Sequence, residues 1–400
     1  MILSRDRLIF FALLVVHFIL LLSIIEDFSL SYNEVKIIFE NNTFIGLLTN
    51  TSIYLFGQND YAARLPFILF YLGSAVVFYL LLEEYFKYSI DRIITIGIFM
   101  ILPGVNTAAL LVNESIVVVF FILLYLYLYK LRNQECYLLL ILFLFIDNSF
   151  AILYLALFFL SVKKKDTFLL VFSLILFALS MSIYGFEIGG RPRGYFLDTF
   201  AIFASIFSPL LFIYFFYSIY RIGLKHEKDM YWYISVTALS LALVFSLRQK
   251  VNVGDFAPFV VIAIPIMVKL FMHSYRVRLK QYRKKHFMFA GFTAFILILN
   301  FLVLIFSKEM YPFFDNPSKN FTYKHHVAKE LAMELKNKDI NAVFIPDRKY
   351  QARLKFYGIE EDDKVRLIIK NTKDEKSDIA ISYYSKVVER FDILHLSATN

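Results

Sequence analysis

The sequence predicts a polytopic α-helical membrane protein of about eleven transmembrane helices with a small C-terminal α/β domain. The first observation is composition: 59% of the 400 residues are hydrophobic, 18% are aromatic and 19% are charged, with a mean hydropathy of +0.62. A soluble domain of this size is not so apolar. The second is a series of apolar runs of bilayer-crossing length up to residue 307, and the third is a polar, charged composition over residues 321–400.

Apolar runs near the length of a membrane span recur throughout the first three quarters of the chain. The predicted spans are 8–25, 65–86, 93–110, 115–130, 136–147, 149–162, 167–184, 196–220, 230–247, 256–273 and 287–307. Asp147-Asn148 interrupts the stretch from 136 to 162, which leaves one long span as the alternative to two short ones.

Loop charges indicate the topology. Basic residues collect in alternate loops, which the positive-inside rule places in the cytoplasm. These loops are Lys87–Arg92, Lys130–Arg132, Lys163–Lys165, Arg221–Lys228 and Arg276–His286. The pattern favours two short spans around Asp147, with the N-terminus inside and the C-terminal part outside. An excess of Ile, Phe, Lys, Tyr and Asn indicates an AT-rich bacterial genome, so the expected location is a bacterial inner membrane. Topology then accounts for the net charge of +9, and no nucleic-acid partner is expected.

Two domains are expected. Residues 1–307 form the membrane domain, with a long first outer loop at 26–64, and residues 308–400 form a small extracytoplasmic α/β domain. Within the latter, apolar periodicity predicts helices and strands. The predicted helices are 322–337 and 348–357, and the predicted strands are 342–345, 366–369, 379–383 and 393–396. About eighty residues make a marginal core, so this domain is expected to lean on the membrane part.

Acidic residues near the outer membrane boundary are the first candidate functional groups. Glu34, with Asp27 and Glu26, lies in the first outer loop, and Glu114 precedes an apolar run at the same predicted face. Ionisable groups at a membrane boundary are costly and tend to be functional. A carboxylate there can act as a general base or hold a divalent metal. The alternative is structural: Ser31 and Glu114 stand where helix N-terminal caps would.

Basic residues in the predicted outer loops are the second set of candidates. Arg191 and Arg193 lie in a Gly/Pro-rich loop, and Arg248 and Lys250 follow a span. Arginine presents a planar fork that suits phosphate oxygens, so these residues suggest a phosphate clamp. Contacts with lipid headgroups are the alternative. The pair His325-His326 is expected to be a plain surface pair, and no P-loop or dinucleotide fingerprint supports a nucleotide-driven enzyme or pump.

In their order along the chain, these segments resemble motifs of the GT-C type membrane glycosyltransferases, in the protein-mannosyltransferase and lipid A aminoarabinose-transferase-like group. Asn33-Glu34 occupies the place of the Asp-Glu pair of the first outer loop, with the Asp replaced. The segment from Gly57 to Ala63-Arg64-Leu65 is the closest single match. Asn113-Glu114 is similar to a Thr-Asp motif at the fourth span.

Two later segments extend the resemblance, which covers most of residues 1–270. Arg191-Pro192-Arg193-Gly194-Tyr195-Phe196 is similar to a Lys/Arg-Pro-x-x-Tyr-Tyr region. Ser246–Lys250, followed by Asp255–Pro258, is similar to a Ser-x-x-x-x-Lys segment that leads to a Pro.

The resemblance implies an inverting enzyme that takes a sugar from a polyprenyl-phosphate carrier and transfers it to a lipid, glycan or protein acceptor outside the cytoplasmic membrane. It implies Glu34 as the general base and Glu114 as a group that orients the acceptor or a metal. No cofactor is assigned, and a divalent metal ion stays open because Asn33 replaces the Asp. The residues that would contact the donor phosphate are Arg64, Arg191, Arg193, Tyr195, Arg248 and Lys250.

Two other functions stay open. A transporter or flippase for a lipid-linked or anionic substrate would also place charges at the outer face, and it would show internal repeats with broken helices. A degenerate transferase that binds carrier lipid without catalysis, as a scaffold, is compatible with Asn33.

Overall fold

The computed structural model describes residues 5–40, 43–185, 194–370 and 377–395. Helices dominate these residues, as expected. In the first half of the chain they are α1 (Arg5–Asp27), α2 (Tyr32–Glu40), α3 (Phe44–Phe56), α4 (Asp60–Tyr85), α5 (Ser89–Ile101), α6 (Pro103–Leu110), α7 (Ser115–Arg132), α8 (Tyr137–Phe143), α9 (Phe150–Lys164) and α10 (Thr167–Tyr184). They continue with α11 (Phe196–Phe207), α12 (Pro209–Lys225), α13 (Met230–Ser246), α14 (Val253–Val261), α15 (Ile264–Val277), α16 (Lys280–Ile305), α17 (Ala328–Asn337) and α18 (Arg348–Phe356).

Each of the eleven predicted apolar segments is helical, which confirms the fold class. Within the described residues, five helices are long and apolar enough to cross a membrane, and eight spans result if three bent pairs each count as one. The bent pairs are α5 with α6 (53°), α11 with α12 (103°) and α14 with α15 (41°). The other three segments, α8, α9 and α13, are shorter helices. Residues 136–162 do not form one long helix, because α8 ends at Phe143 and α9 begins at Phe150.

Internal contacts divide the chain into two units. The helical unit comprises residues 1–18, 67–109 and 113–301, and the loop unit comprises residues 19–66, 110–112 and 302–400. The loop unit thus contains the first outer loop as well as the C-terminal α/β segment. The predicted domain boundary between residues 307 and 308 stays a prediction.

In the helical unit, apolar helices pack against one another, and acidic side chains cap the N-terminal ends of two of them. α9 packs against α10 and α13, α13 packs against α14, and α15 packs against α5 and α12. The Asp166 carboxylate accepts from the Leu169 amide at 3.0 Å at the start of α10, and Asp229 accepts from the Trp232 amide at 3.0 Å at the start of α13. These caps satisfy amides that lack a partner in the first helical turn.

In the loop unit, a three-stranded antiparallel sheet packs with two helices. The strands are β1 (Val365–Lys370), β2 (Ile379–Tyr383) and β3 (Lys386–His395), in the order β1-β3-β2. Alternate residues of β2 are buried, as the period of two in a strand requires. The apolar stripe of α17 follows the helical period of 3.6 residues. Its buried residues are Ala328, Leu331, Ala332 and Leu335.

Three predicted elements of the C-terminal segment agree with α18, β1 and β2, and three differ. The strand predicted at 393–396 is only the last part of β3, which begins at Lys386; residue 396 lies outside the described residues. The helix predicted at 322–337 begins only at Ala328, because residues 323–325 form a 3₁₀ turn and Val327 adopts a φ of +75°. The strand predicted at 342–345 is reduced to single parallel bridges at Ala342 and Phe344. α18 ends before Gly358, whose φ of +80° is a conformation that glycine adopts without strain.

Gly358→Ala is expected to lower the thermal unfolding midpoint of the purified protein. A Cβ at a positive φ costs about 1–2 kcal/mol, and this one would lie 3.3 Å from Lys336 Nζ. Gly97→Ala in α5 is the control, because a Cβ there meets nothing within 4 Å. A Gly358→Ala midpoint equal to that of the wild type would contradict the assignment of a left-handed helix end.

Candidate functional site

Glu34 lies in the first turn of α2, and its local sequence explains its position. Ser31 immediately precedes the helix, and its amide and its hydroxyl each donate to Glu34 Oε2 at 2.8 Å. A Ser followed three residues later by a Glu is the pattern of a capping box, in which the acid turns back to the start of its own helix. The carboxylate is therefore held at the N-terminal end of α2, where the helix dipole favours a negative charge.

A buried ion pair joins Glu34 to Arg64. The nearest guanidinium nitrogen lies 3.2 Å from Glu34 Oε1, and the two side chains are 3% and 0% exposed. Arg64 also donates to the carbonyl oxygens of Phe28 at 2.6 Å and Ser29 at 3.1 Å. The Val112 amide donates to Glu34 Oε1 at 3.1 Å. Every side of this pair is therefore occupied by protein groups, as a buried charge pair requires.

The charge state of Glu34 follows from two opposing effects. Burial raises the pKa of the carboxyl, but the Arg64 guanidinium, the His325 ring and the Ser31 amide outweigh burial and hold the pKa below its usual range. Glu34 is thus ionised at neutral pH. Glu34 is also a weak base and is almost fully enclosed, so a role in proton transfer needs a rearrangement that releases Arg64.

The prediction of a surface pair at His325 and His326 is wrong, because both rings pack into the loop unit. His325 Nδ1 lies 3.2 Å from Glu34 Oε2, a distance without the angles of a hydrogen bond. His326 is fully buried, and its Nδ1 lies 2.8 Å from the Tyr311 hydroxyl. Burial and nearby positive charges lower the pKa of His326 to about 3, so this ring is neutral at physiological pH.

Arg353 in α18 links the C-terminal segment to the first outer loop. This buried guanidinium donates to the Leu30 carbonyl at 2.8 Å, to the Ser29 hydroxyl at 2.8 Å and to the His326 carbonyl at 2.6 Å. The sequence contains no signal for this role, because Arg353 sits in an ordinary amphipathic helix. The Ser29 amide in turn donates to the His325 carbonyl at 2.8 Å. The loop and the C-terminal segment therefore share one hydrogen-bond network.

Two further acidic side chains of the loop unit, Asp60 and Asp27, differ in their exposure to solvent. Asp60, at the start of α4, is buried; it accepts from the Tyr357 hydroxyl at 2.6 Å and pairs with Lys329 at 3.1 Å. Asp27, at the end of α1, has a side chain that is 55% exposed and lies 3.2 Å from Lys308 Nζ. Of the two predicted catalytic acids in this unit, Asp27 is open to a solute and Glu34 is enclosed.

The remaining described candidates belong to the helical unit, where the structure brings their segments together. The Tyr195 amide donates to the Ser246 carbonyl at 2.8 Å, which places Tyr195 beside the turn that carries Arg248. The Ser115 hydroxyl, next to Glu114, donates to the Gly254 carbonyl at 3.1 Å. Tyr195 before α11 therefore lies at the end of α13, and the start of α7 lies at the start of α14.

A cavity of about 490 Å³ opens beside these segments of the helical unit. Lys250 and Asp255 line it together with Asn148 and Asn252, so its lining combines charge with amide groups. Arg248 and Lys250 are both exposed. Arg191 and Arg193 lie outside the described residues. Glu114 occupies the N-cap position of α7, although its side chain makes no capping hydrogen bond.

The described residues contain no group of three or more His, Cys, Asp or Glu side chains placed to hold a metal ion. Glu34 is already saturated by Arg64, Ser31 and Val112. The donor set around it therefore does not fit a divalent cation.

No protein-family model matches the chain, and no curated protein matches it. Solved structures with the same fold exist. ArnT from Cupriavidus metallidurans bound to undecaprenyl phosphate aligns with a TM-score of 0.55 at 12% identity, covering 88% of this chain and 85% of ArnT. The apo state of the same ArnT aligns with a TM-score of 0.56 at 12% identity, covering 91% and 92%. The predicted resemblance to the GT-C group is thus confirmed at the level of the fold.

Glu34→Gln is expected to destabilise the protein strongly, because it leaves the Arg64 charge buried without its counter-ion. Loss of one partner of a buried pair costs about 3–5 kcal/mol. The midpoint of thermal or denaturant unfolding measures this change. Arg7→Met is the control: it breaks the Arg7–Glu83 pair, whose side chains are 45% and 22% exposed and screened by solvent. Equal effects of the two substitutions would contradict the buried-pair assignment.

The stability of the wild type is expected to fall on acidification. The pKa of Glu34 is lower in the folded protein than its unfolded value of 4.5, so its stabilising contribution is complete above that pH and disappears as the pH falls below it. Unfolding midpoints measured across this range should decline more steeply for the wild type than for Glu34→Gln. Parallel curves for the two proteins would show that Glu34 does not carry the effect.

Proposed function

We propose that this multi-pass membrane protein is a glycosyltransferase that moves a sugar from a polyprenyl-phosphate donor to a hydroxyl of a lipid, glycan or protein. The reaction takes place at the outer face of a bacterial inner membrane. The observation that carries the proposal is the fold shared with ArnT, whose structure holds undecaprenyl phosphate, over 88% of this chain. Fold alone does not fix function. The charged groups described above supply the rest of the argument.

The donor phosphate is the leaving group, and it needs positive charge at the membrane surface. We assign this charge to Lys250, which lines the 490 Å³ cavity of the helical unit, and to Arg248, two residues before it; Tyr195 flanks their turn. Cations that are fixed before the reaction stabilise the charge that develops on the leaving oxygen. Arg191 and Arg193, from the loop before Tyr195, are assigned to the same phosphate on their sequence alone.

The acceptor hydroxyl must lose a proton, and we assign its removal to Asp27 rather than to Glu34. The Asp27 carboxylate is half exposed and pairs with Lys308 at 3.2 Å, whereas Glu34 is enclosed and pairs with the fully buried Arg64. Asn33, which replaces the acid expected beside Glu34, cannot accept a proton. Glu34 and Arg64 then act as positioning residues that hold the first outer loop. Glu114 keeps its proposed role in orienting the acceptor.

A transporter of a lipid-linked substrate is the second candidate. The three bent helix pairs favour it, because broken helices are common in transporters. Internal repeats, the other expected mark of that class, are not evident in the sequence. The shared fold with ArnT therefore makes the transferase the stronger proposal.

Asp27→Asn is expected to reduce sugar transfer by about 10²–10⁴-fold, the usual contribution of a general base, without changing the unfolding midpoint. The assay uses the purified protein in proteoliposomes with a panel of polyprenyl-phosphate hexoses and pentoses and a bacterial envelope extract that supplies lipid, glycan and protein acceptors. It measures release of polyprenyl phosphate. Glu26→Gln, which changes the neighbouring exposed acid, is the matched control and should keep the wild-type rate.

The outcomes of this assay separate the alternatives. A wild-type rate in Asp27→Asn removes the base assignment but leaves the transferase proposal intact. Movement of the donor lipid across the bilayer with its sugar still attached contradicts the transferase proposal and supports transport. Binding of the donor without release or movement indicates a scaffold.

A further inference from the structure

A second cavity lies within the helical unit, among α5, α12, α15 and α16. Its volume is about 810 Å³, and its walls are mostly aliphatic and aromatic. Along α5 it extends from Ile90 to Ile101, which at a rise of about 1.5 Å per residue is roughly 17 Å. That length corresponds to about one leaflet of a bilayer whose hydrocarbon core is about 30 Å thick. This cavity, which we call the groove, therefore has the length of an acyl chain of a single leaflet.

Arginine side chains line one end of this groove. They are Arg221 near the end of α12, Arg276 in the last turn of α15 and Arg278 directly after α15. Arg276 is paired with Asp91 at 2.5 Å. The guanidinium of Arg221 donates to the Tyr217 hydroxyl at 2.6 Å, and that of Arg278 donates to the Ser274 hydroxyl at 3.4 Å. Within the described part of the chain, Arg221 and Arg278 thus have no carboxylate partner.

A half-buried histidine adds a polar group to the lining of the groove. The His286 ring is stacked on Phe271 with 4.4 Å between ring centroids. Its Nε2 atom is buried and has no hydrogen-bond partner within the described residues. Buried polar atoms are rarely left without a partner, so this nitrogen is suited to a hydrogen bond with a polar atom of a molecule in the groove.

This groove is distinct from the proposed active site. Its arginines lie near the turn that joins α12 to α13. From that turn, α13 runs 17 residues, about 25 Å, to Ser246, next to Arg248. The positive-inside rule places the arginine end in the cytoplasm, where anionic lipids create a negative surface potential.

From this combination we propose that the groove binds an anionic phospholipid of the cytoplasmic leaflet. The acyl chain lies along α5 and α16, and the phosphate lies against Arg221 and Arg278. A guanidinium fork matches phosphate oxygens in geometry as well as in charge. A soluble sugar or nucleotide does not suit the apolar walls, and a neutral lipid would give the two arginines no anionic partner.

The test measures lipid binding to the purified full-length protein by native mass spectrometry, with phosphatidylglycerol and phosphatidylcholine as probes. The wild type should retain phosphatidylglycerol in preference to phosphatidylcholine. Arg221→Gln combined with Arg278→Gln should weaken phosphatidylglycerol binding about tenfold or more. Lys130→Gln combined with Arg132→Gln removes the same charge from the end of α7, outside the groove, and should leave binding unchanged.

A second variant separates the groove from surface charge. Gly291 lines the groove, and a Cβ there would meet nothing within 4 Å, so Gly291→Leu fills the apolar space and keeps every arginine. It should also weaken phosphatidylglycerol binding. The proposal would be overturned if Gly291→Leu bound phosphatidylglycerol as tightly as the wild type does. It would also be overturned if the α7 control lost as much affinity as the Arg221/Arg278 variant, because surface charge alone would then explain the binding.

Competition with polyprenyl phosphate completes the test. Displacement of phosphatidylglycerol by an equimolar amount of polyprenyl phosphate would overturn the proposal and assign the groove to the carrier lipid instead. Retention of phosphatidylglycerol supports a separate site. None of these readouts requires sugar transfer, so the proposed function can fail while this inference stands.

Discussion

The buried ion pair between Arg64 and Glu34 is the constraint on which the loop unit depends. Two charges without contact to water are tolerated only when each finds enough partners. Arg64 finds them in the carbonyl groups of Phe28 and Ser29 as well as in the carboxylate. These hydrogen bonds hold the segment between α1 and α2 in place, although that segment has little regular structure of its own.

The same segment is held from the C-terminal side of the chain. Arg353 donates to the backbone of Leu30 and to the side chain of Ser29, while Tyr357 donates to Asp60. The C-terminal segment alone has a small core. These bonds hold the first outer loop against it, and the loop buries more of its surface. This arrangement explains why the two stretches, distant in sequence, cluster as one unit.

Local patterns predicted much of this architecture. The eleven apolar segments, the break at Asp147, the helix end at Gly358 and the strand at 379–383 follow from periodicity and turn chemistry. Ser31 as a candidate cap was also visible in the sequence. The pairing of Glu34 with Arg64 and the burial of His326 were not, because they depend on tertiary contacts. Arg353 lies 323 residues from Leu30 in the chain, and no local pattern encodes that distance.

Burial also changes what the most prominent acid can do. A motif-based prediction gives Glu34 the chemistry, whereas the observed contacts make it the buried counter-ion of Arg64. Glu26 and Asp27 are both exposed, and we propose proton transfer for Asp27 because the environment of a carboxylate sets its proton affinity.

Hydrogen exchange followed by mass spectrometry tests the central claim most directly, that the Arg64–Glu34 pair holds the first outer loop and the C-terminal segment as one cooperative unit. The comparison is between wild type and Arg64→Met in the same detergent. Our account predicts faster exchange of similar size in residues 27–40 and in residues 323–357, with α9 and α13 of the helical unit unchanged. Faster exchange confined to residues 27–40 would contradict it.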